Sequence, residues 1–268
     1  MRIISPIAAA VAAFAALAGV SNSRAADIIT PVAYPDVAPA DQATPTEWSF
    51  KATPYFWMAG LSGDVAVFGA PPVTVDVSFS DALGGLNFSF MGAAEARYGP
   101  YSLTTDLFAI KTTLSAKPRP NRLLSKVDLS STTVEATVLA GYALVDSERV
   151  TLDLVAGPRV WHVRDKLRFI GGRLNGLSVT DEATWIDAMG GVKAKVDLTP
   201  NLYLTGIGLA GAGMSNFGWD ATAAVGYEIS DRFSALAGYR AMGVDYKSGS
   251  FEFDTTFQGP ILGLEIRF

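Results

Sequence analysis

The chain has 268 residues and a mass of 28.3 kDa, which suits one large β domain or two small ones. Cysteine is absent, so the sequence excludes a lipoprotein acyl anchor, a disulfide framework and thiolate chemistry. The formal net charge is −5 and no run of lysine and arginine stands out, which argues against nucleic acid as a partner.

Residues 1–25 have the three parts of a secretory signal peptide. Arg2 supplies positive charge, residues 7–20 are apolar but too short to span a bilayer, and Ser23 and Ala25 are small residues suited to a cleavage site. The sequence therefore predicts export and cleavage after Ala25, with an uncleaved anchor helix as the alternative. Without these residues the formal net charge becomes −7, because Arg2 and Arg24 are removed.

Residues 26–47 form a separate segment with no basic residue and four prolines, Pro31, Pro35, Pro39 and Pro45. This composition predicts an extended periplasmic leader rather than a folded element.

From Trp48 onward the chain alternates apolar and polar residues in segments separated by turn signals, a pattern that predicts β-strands. After the signal peptide no run of about 18 apolar residues is present, although 49% of all residues are hydrophobic and the mean hydropathy is +0.26. Apolar content spread by alternation is typical of a membrane β-barrel. The predicted strands cover residues 48–60, 87–98, 101–114, 127–144, 150–164, 184–198, 202–213, 218–229, 233–246 and 252–268.

The first long connection leaves the strand count open. Residues 65–68 and 73–79 are expected to be the projecting tips of strands one and two, followed by a helical turn over 80–86 capped by Ser80 or Asp81. If they instead form their own hairpin, the count rises from ten to twelve.

Four short polar turns, at residues 99–100, 146–148, 199–201 and 230–232, alternate with longer connections. Short turns are typical of the periplasmic end of a barrel and longer loops of the extracellular end. The predicted fold is therefore all-β: a closed, antiparallel, up-and-down transmembrane β-barrel over 48–268 with about 10 strands, 8 or 12 being the alternatives.

Aromatic residues indicate which face of the strands points outward. A soluble lipocalin-like barrel would turn the apolar face inward, and its aromatics would be scattered along the strands. Here six aromatics lie beside the short turns on faces read as apolar, which predicts a periplasmic aromatic girdle in contact with lipid. These are Tyr98, Tyr142, Tyr203, Tyr227, Phe233 and Phe268.

The polar faces then become the interior of the barrel. In so narrow a space, charges of both signs are expected to pair with one another, because an unpaired charge would be costly. Small residues on the seventh strand (Gly206, Gly208, Ala210 and Ala212) are expected to leave room inside. The predicted interior charges are Lys51, Glu95, Arg97, Asp106, Glu135, Asp153, Arg159, Asp187, Lys193, Lys195, Asp197, Asp220, Glu228, Arg240, Glu265 and Arg267.

Catalysis, metal binding and cofactors have little support in the sequence. The single histidine, His162, shares the lipid-facing parity of Leu154 and Val160 and has no serine within three positions. A bulge at Gly157-Pro158 would reverse that parity and place His162 inside with Asp153, which is the alternative enzyme hypothesis. No metal-ligand spacing is present, and we expect no cofactor.

The strands, the turns and the terminal aromatic together resemble the small outer-membrane β-barrel superfamily of Gram-negative bacteria, of the OmpA/OmpX and porin-like types. The stretches that carry the resemblance are residues 54–63, 91–99, 238–240 and the closing strand that ends in Phe268. It implies a protein of the bacterial outer membrane with a structural or surface-interaction role, no enzymatic activity and a narrow, charge-paired interior. A passive channel, or a lipid-modifying or proteolytic barrel using His162, are the alternatives. Implied partners are outer-membrane lipid and lipopolysaccharide, and the assembly machinery that recognises the C-terminal strand.

Overall fold

The structure is a computed structural model that describes residues 47–116 and 125–268. The predicted signal peptide and all but the last residue of the predicted leader lie outside the described residues.

Twelve strands, one short helix and one short 3-10 turn make up the described chain. The helix α1 covers Phe79–Gly84, and its N-cap is Ser78, whose Oγ accepts a hydrogen bond from the Asp81 N–H at 3.2 Å, rather than the predicted Ser80 or Asp81. The strands are β1 (Trp48–Trp57), β2 (Gly60–Ala66), β3 (Val73–Val77), β4 (Leu86–Tyr98), β5 (Tyr101–Ala116), β6 (Lys126–Asp146), β7 (Val150–Ile170), β8 (Ser178–Thr199), β9 (Leu202–Gly213), β10 (Phe217–Glu228), β11 (Phe233–Ser248) and β12 (Phe251–Arg267).

Ten strand positions close the barrel. From β4 to β12 each strand pairs antiparallel with the next, and β1 closes the ring by pairing with both β4 and β12. The pairs Trp57–Ile261 and Gly60–Gln258 keep one constant register, so β1 and β2 are a single interrupted strand position along β12. Since β3 pairs only with β2, β2 and β3 are the projecting tips that the sequence predicts. The ten-strand, up-and-down barrel is confirmed.

The ladder between β1 and β4 stops before the two strands end. Its last pair is Pro54 with Gly92, and beyond it the Trp57 N–H donates to the sulfur of Met91 at 3.3 Å. The missing N–H of Pro54 instead interrupts the ladder on the other side of β1, where the pairs with β12 skip Thr53 and Pro54. Beyond Pro54, β1 meets β4 through side chains.

The strands of the β6–β8 region are longer than predicted. They contain 21, 21 and 22 residues, so the connection between β7 and β8 shrinks to residues 171–177 instead of 166–183. No helix within the described residues is long and apolar enough to cross a membrane.

The polarity of the two strand faces reverses partway along the barrel. In β12, Leu262 and Leu264 point outward and Glu265 and Arg267 inward, as predicted. In the part of β12 that precedes Pro260 the two faces are reversed: the phenylalanines point inward and Glu252 points outward, although the register with β11 does not shift. β7 and β8 reverse in the same way at Val160–Trp161 and at Trp185–Ile186. We call the part between the short turns and this level the lower half, and the part beyond it the upper half.

The hydrophobic core therefore sits inside the upper half. It is an aromatic cluster supplemented by Met91, Val163, Met242 and Val244. Its ring centroids lie between 4.1 Å, for Trp185 and Tyr246, and 6.3 Å, for Phe253 and Phe257. The aromatic cluster consists of Trp57, Phe108, Trp161, Trp185, Tyr246, Phe251, Phe253 and Phe257.

Candidate functional site in the barrel interior

Directly below the aromatic cluster, five charged side chains meet in a buried group that we call the central charge cluster: Asp106, Glu135, Arg159, Asp220 and Arg240. Asp220 Oδ2 lies 2.8 Å from Nη2 of both arginines, so one carboxylate bridges β7 and β11. Arg159 Nε contacts Glu135 Oε1 at 2.9 Å, and Arg240 Nη2 contacts Asp106 Oδ1 at 2.9 Å.

Two uncharged side chains complete this cluster. The Tyr55 hydroxyl donates to Asp106 Oδ2 at 3.0 Å and accepts from Arg240 Nη1 at 2.7 Å. Thr137 Oγ1 accepts from Arg159 Nε at 2.7 Å. Each arginine also touches the cluster above: Arg240 lies 5.1 Å from the Trp57 ring centroid, and Arg159 Nη1 lies 3.4 Å from the Met242 sulfur. The ion pairs and the aromatic rings therefore form one continuous packing unit.

A second group lies lower in the interior and links β1, β4, β7 and β8. Glu95 contacts Lys193, Arg97 at 3.4 Å and Lys51 at 4.0 Å. Asp153 contacts Arg97 and, at 3.2 Å, Lys193. Each carboxylate thus has at least two cationic partners, and the contacts of β4 with Lys193 on β8 and Asp153 on β7 cross the interior of the barrel.

The lowest group lies near the short turns. Arg267 contacts Glu228 at 2.7 Å and Glu265 at 3.0 Å. Lys195 contacts Asp197 at 2.9 Å and Glu228 at 3.9 Å.

Of the sixteen predicted interior charges, fifteen make an ion pair with another of the set. Asp187 is the exception within the described residues: it is buried, and its Oδ1 accepts a hydrogen bond from the Ser215 N–H at 2.8 Å. Sequence reasoning missed Tyr55 and Thr137, which share the inward parity of Lys51 and Glu135 and could have been found from it.

Two adjoining cavities occupy the lower half. One, of about 240 Å³, lies among Glu95, Asp153 and Lys195; the other, of about 200 Å³, lies against Arg159 and Arg240. They share wall residues such as Thr104 and Thr205. The lower half therefore has room for water beside its charges, in contrast to the packed upper half.

The aromatic girdle needs one correction. Five of the six predicted residues are exposed outward, but Tyr203 is 1% exposed and points inward. Its ring lies where a Cβ on Gly226 would be, and Lys195 Nζ sits 4.5 Å from the ring centroid. The parity of β9 was assigned the wrong way round, because its two faces differ little in polarity, and the small residues at even positions from 206 to 212 face outward.

Two further aromatics join the outward set. Trp48 lies 5.2 Å from Tyr98, and Tyr101 lies 5.5 Å from Tyr142, measured between ring centroids. Trp48 is the first residue of β1 and Tyr101 the first residue of β5, at the short-turn end of the barrel. The other girdle residues were predicted from the same position beside the short turns.

His162 lies on the outward face, just above the level where polarity reverses. Its Nδ1 is 2.8 Å from Thr184 Oγ1 on β8. β7 pairs with β8 in one register from Val150 to Arg168, so Gly157-Pro158 carries no bulge and the alternative that turned His162 inward is wrong. Among the described residues, no group of three or more histidines and carboxylates is placed to hold a metal ion.

Comparison with known proteins gives a likeness of fold only. No family model matches the chain, and no curated protein matches it. The outer membrane protease OmpT from Escherichia coli is similar in structure, with a TM-score of 0.54, 10% sequence identity, and coverage of 84% of this chain and 98% of that one.

Two more distant likenesses have TM-scores below 0.5. The translocator domain of the autotransporter NalP from Neisseria meningitidis has a TM-score of 0.43 at 12% identity, covering 82% of this chain and 88% of that one. A major outer membrane protein from Thermus thermophilus has a TM-score of 0.38 at 14% identity, covering 82% of this chain and 99% of that one. The barrel geometry and the likeness to OmpT lead to one conclusion: this chain has the closed, antiparallel fold of the outer-membrane β-barrels.

Proposed function

We propose that this chain is an integral protein of the bacterial outer membrane whose interior does not conduct, and whose role is structural or surface-interacting. The observation that carries the proposal is the aromatic cluster across the upper half. Phe108, Trp161 and Trp185 are each at most 1% exposed, and Trp161 and Trp185 stack with centroids 5.7 Å apart. A conducting pore needs a continuous polar path, which packed rings do not leave.

The outward face of the lower half supports membrane insertion. Leu154, Val192 and Leu262 are 52%, 45% and 52% exposed, values that suit lipid contact and would expose apolar surface to water in a soluble protein. Strands of 21 or 22 residues exceed the roughly 9–11 residues that cross a bilayer, so the upper half has the length to project beyond it. Its polar outer wall and apolar interior suit that position.

The passive-channel alternative draws on the two cavities of the lower half, which end at the central charge cluster. The enzyme alternative draws on His162, whose outward position beside Thr184 supports a non-catalytic role.

Planar-bilayer recording on the refolded protein tests the closed interior. We expect no reproducible single-channel steps from the unaltered barrel. The double variant Trp161→Gly/Phe257→Gly removes two rings whose centroids lie 6.1 Å apart, and is expected to conduct because water then enters the upper half. Phe50→Ala, on the outward face, is the matched control and should stay silent.

Reproducible steps from the unaltered protein would overturn the proposal of a closed interior. Folding of each variant is verified beforehand by heat-modifiable electrophoretic mobility. Recovery of the unaltered protein in detergent-free soluble form would overturn the membrane assignment.

A further inference from the structure

The outer wall of the upper half is charged unevenly around the barrel. On β5, β6 and β7 the outward residues include five cations, which we call the basic flank: Lys111, Lys126, Arg164, Lys166 and Arg168. Outward carboxylates on this side are Asp128, on β6, and Glu182, on the neighbouring β8.

Strand register places these side chains in neighbouring rows. Lys111 is paired with Thr132, and Thr132 with Arg164. One row higher, Lys166 is paired with Ser130. With strands about 4.8 Å apart and same-face residues about 6.7 Å apart along a strand, the cations surround an area of roughly one nanometre across that is lined with hydroxyl groups.

Three of these cations have no carboxylate within 4.0 Å among residues 47–116 and 125–268: Lys111, Lys166 and Arg168. Arg164 contacts Glu182 at 3.4 Å, but both side chains are more than half exposed, so the pair is weak. The basic flank therefore retains positive charge that the protein itself does not neutralise.

The opposite kind of wall occurs on β2, β11 and β12. Asp64 is paired with Asp254, and Asp254 with Asp245, so three carboxylates stand side by side. Partial burial, and then the negative charge of Asp245 and Asp64, raise the pKa of Asp254 above its ordinary value. We call these three residues the acidic flank.

The basic flank begins directly above the apolar outer wall. On β7, Val160 ends the apolar run of outward residues that begins near the short turn, His162 follows, and Arg164 is the first cation. If the lower half spans the bilayer, as proposed above, Arg164 and Lys166 stand at the height of the outer-leaflet headgroups.

We propose that the basic flank binds the phosphate groups of the anionic glycolipid in the outer leaflet, lipopolysaccharide in a Gram-negative bacterium. Unpaired cations interleaved with hydroxyl groups match phosphate oxygens in both charge and hydrogen bonding. Because the acidic flank repels such headgroups, lipid contact on this protein is one-sided. The inference rests on the proposed membrane position and adds to it the residues and the ligand chemistry.

The test measures binding of purified lipopolysaccharide to the barrel refolded in neutral detergent. The triple variant Lys111→Gln/Lys166→Gln/Arg168→Gln is compared with the matched variant Asp64→Asn/Asp245→Asn/Asp254→Asn. At roughly fivefold per cation near an anionic surface, the basic variant should lose about a hundredfold in affinity. The acidic variant should bind as tightly as the unaltered protein or more tightly.

Two further ligands identify what is recognised. Lipopolysaccharide with its phosphates removed should bind weakly and equally to all three proteins, and added salt should weaken the phosphorylated form selectively. Inorganic phosphate alone should compete only at a far higher concentration, because one phosphate ion contacts fewer cations than the several phosphates of one lipid molecule.

Equal affinity of the unaltered protein and the basic variant for phosphorylated lipid would overturn the inference. So would equal binding of the dephosphorylated lipid, equally tight binding of inorganic phosphate, or a variant whose oligomeric state changes in place of its lipid affinity. Single-channel recording on the same samples separates the two proposals. If the barrel does not conduct and does not bind lipid, only the inference about the basic flank is overturned. If it conducts and binds lipid, only the proposal of a closed interior is overturned.

Discussion

The lower and upper halves of this barrel differ in which face of the strands is apolar: the outer face in the lower half and the inner face in the upper half. In the lower half, Leu262 and Leu264 of β12 face outward while Glu265 and Arg267 pair inside. Earlier in the same strand, Asp254 and Thr256 face outward and Phe257 is buried. The backbone register is continuous between these two parts of β12, so the difference between their outer surfaces comes from the side chains alone.

The comparison teaches that alternation and polarity are separate signals. A period of two indicates that a segment is a strand, and which of its two faces is apolar indicates the surroundings of each face. In a barrel that faces lipid at one end and water at the other, the apolar side chains must change from the outer to the inner face along the strands.

The largest expected effect comes from unpairing the interior of the lower half. Asp220→Ala leaves Arg159 and Arg240 buried without their shared carboxylate, and should lower the free energy of unfolding by about 3–5 kcal/mol. Urea unfolding followed by tryptophan fluorescence measures it. Asp197→Asn, near the short turns and partly exposed, is the control and should change stability by less than about 1 kcal/mol. A loss below that level for Asp220→Ala would show that the central charge cluster is not needed for stability.

The second test places one charge on each half of the same strand face. Leu262→Arg puts a guanidinium into the apolar outer wall and should cost about 2–4 kcal/mol if that residue lies near the bilayer midplane. Thr256→Arg, six residues away on the same face, should cost only about 0–1 kcal/mol. Unfolding in lipid bilayers gives both values. Equal costs would contradict a membrane boundary between the two positions.

The smallest effect concerns pH and the outer wall of the upper half. The pKa of Asp254 is raised above 3.8, first by partial burial and then by neighbouring carboxylates, so the folded state binds a proton more readily than the unfolded state. Stability should therefore rise by a few tenths of a kcal/mol as the pH falls from neutral through the folded pKa. Asp254→Asn should abolish this rise in a pH series of unfolding curves.

Asp128 is the matched control for that series, since its pKa shifts the other way. Hydrogen bonds from Lys126 and Ser115 hold the pKa of Asp128 below 3.8. Its contribution is present above that pH and is lost as the pH falls through the folded pKa, so Asp128→Asn should leave the Asp254 effect unchanged. If both variants flattened the profile alike, the shift would not belong to Asp254.

The sequence predicted the ten-strand barrel and the faces of most of its lower half, because charges at Glu265 and Arg267 oppose leucines with no ambiguity. It did not predict the aromatic cluster, because the polarity read from the residues after Pro260 is reversed at Phe251, Phe253 and Phe257. The information was present: three phenylalanines share a parity with Arg267, which only a reversal explains.

Two other failures have different causes. Tyr203 was placed outward because β9 is built of small and apolar residues on both faces, and only the space left by Gly226, on another strand, decides its direction. The basic flank escaped notice because Arg164, Lys166 and Arg168 alternate with inward residues, and Lys111 joins them only through strand pairing. Neither relation is local in sequence.

The early end of the ladder between β1 and β4 gives the barrel wall a weak seam. Over residues 55–57 the edge of β1 that faces β4 is held by a thioether contact and ring packing in place of a row of amide–carbonyl bonds. Backbone amides open to solvent more readily where neighbouring strands are held by side chains in place of a hydrogen-bonded ladder. We therefore expect the Trp57 amide to exchange with deuterium sooner than that of Lys51, and heat to separate β1 from β4 early along this line.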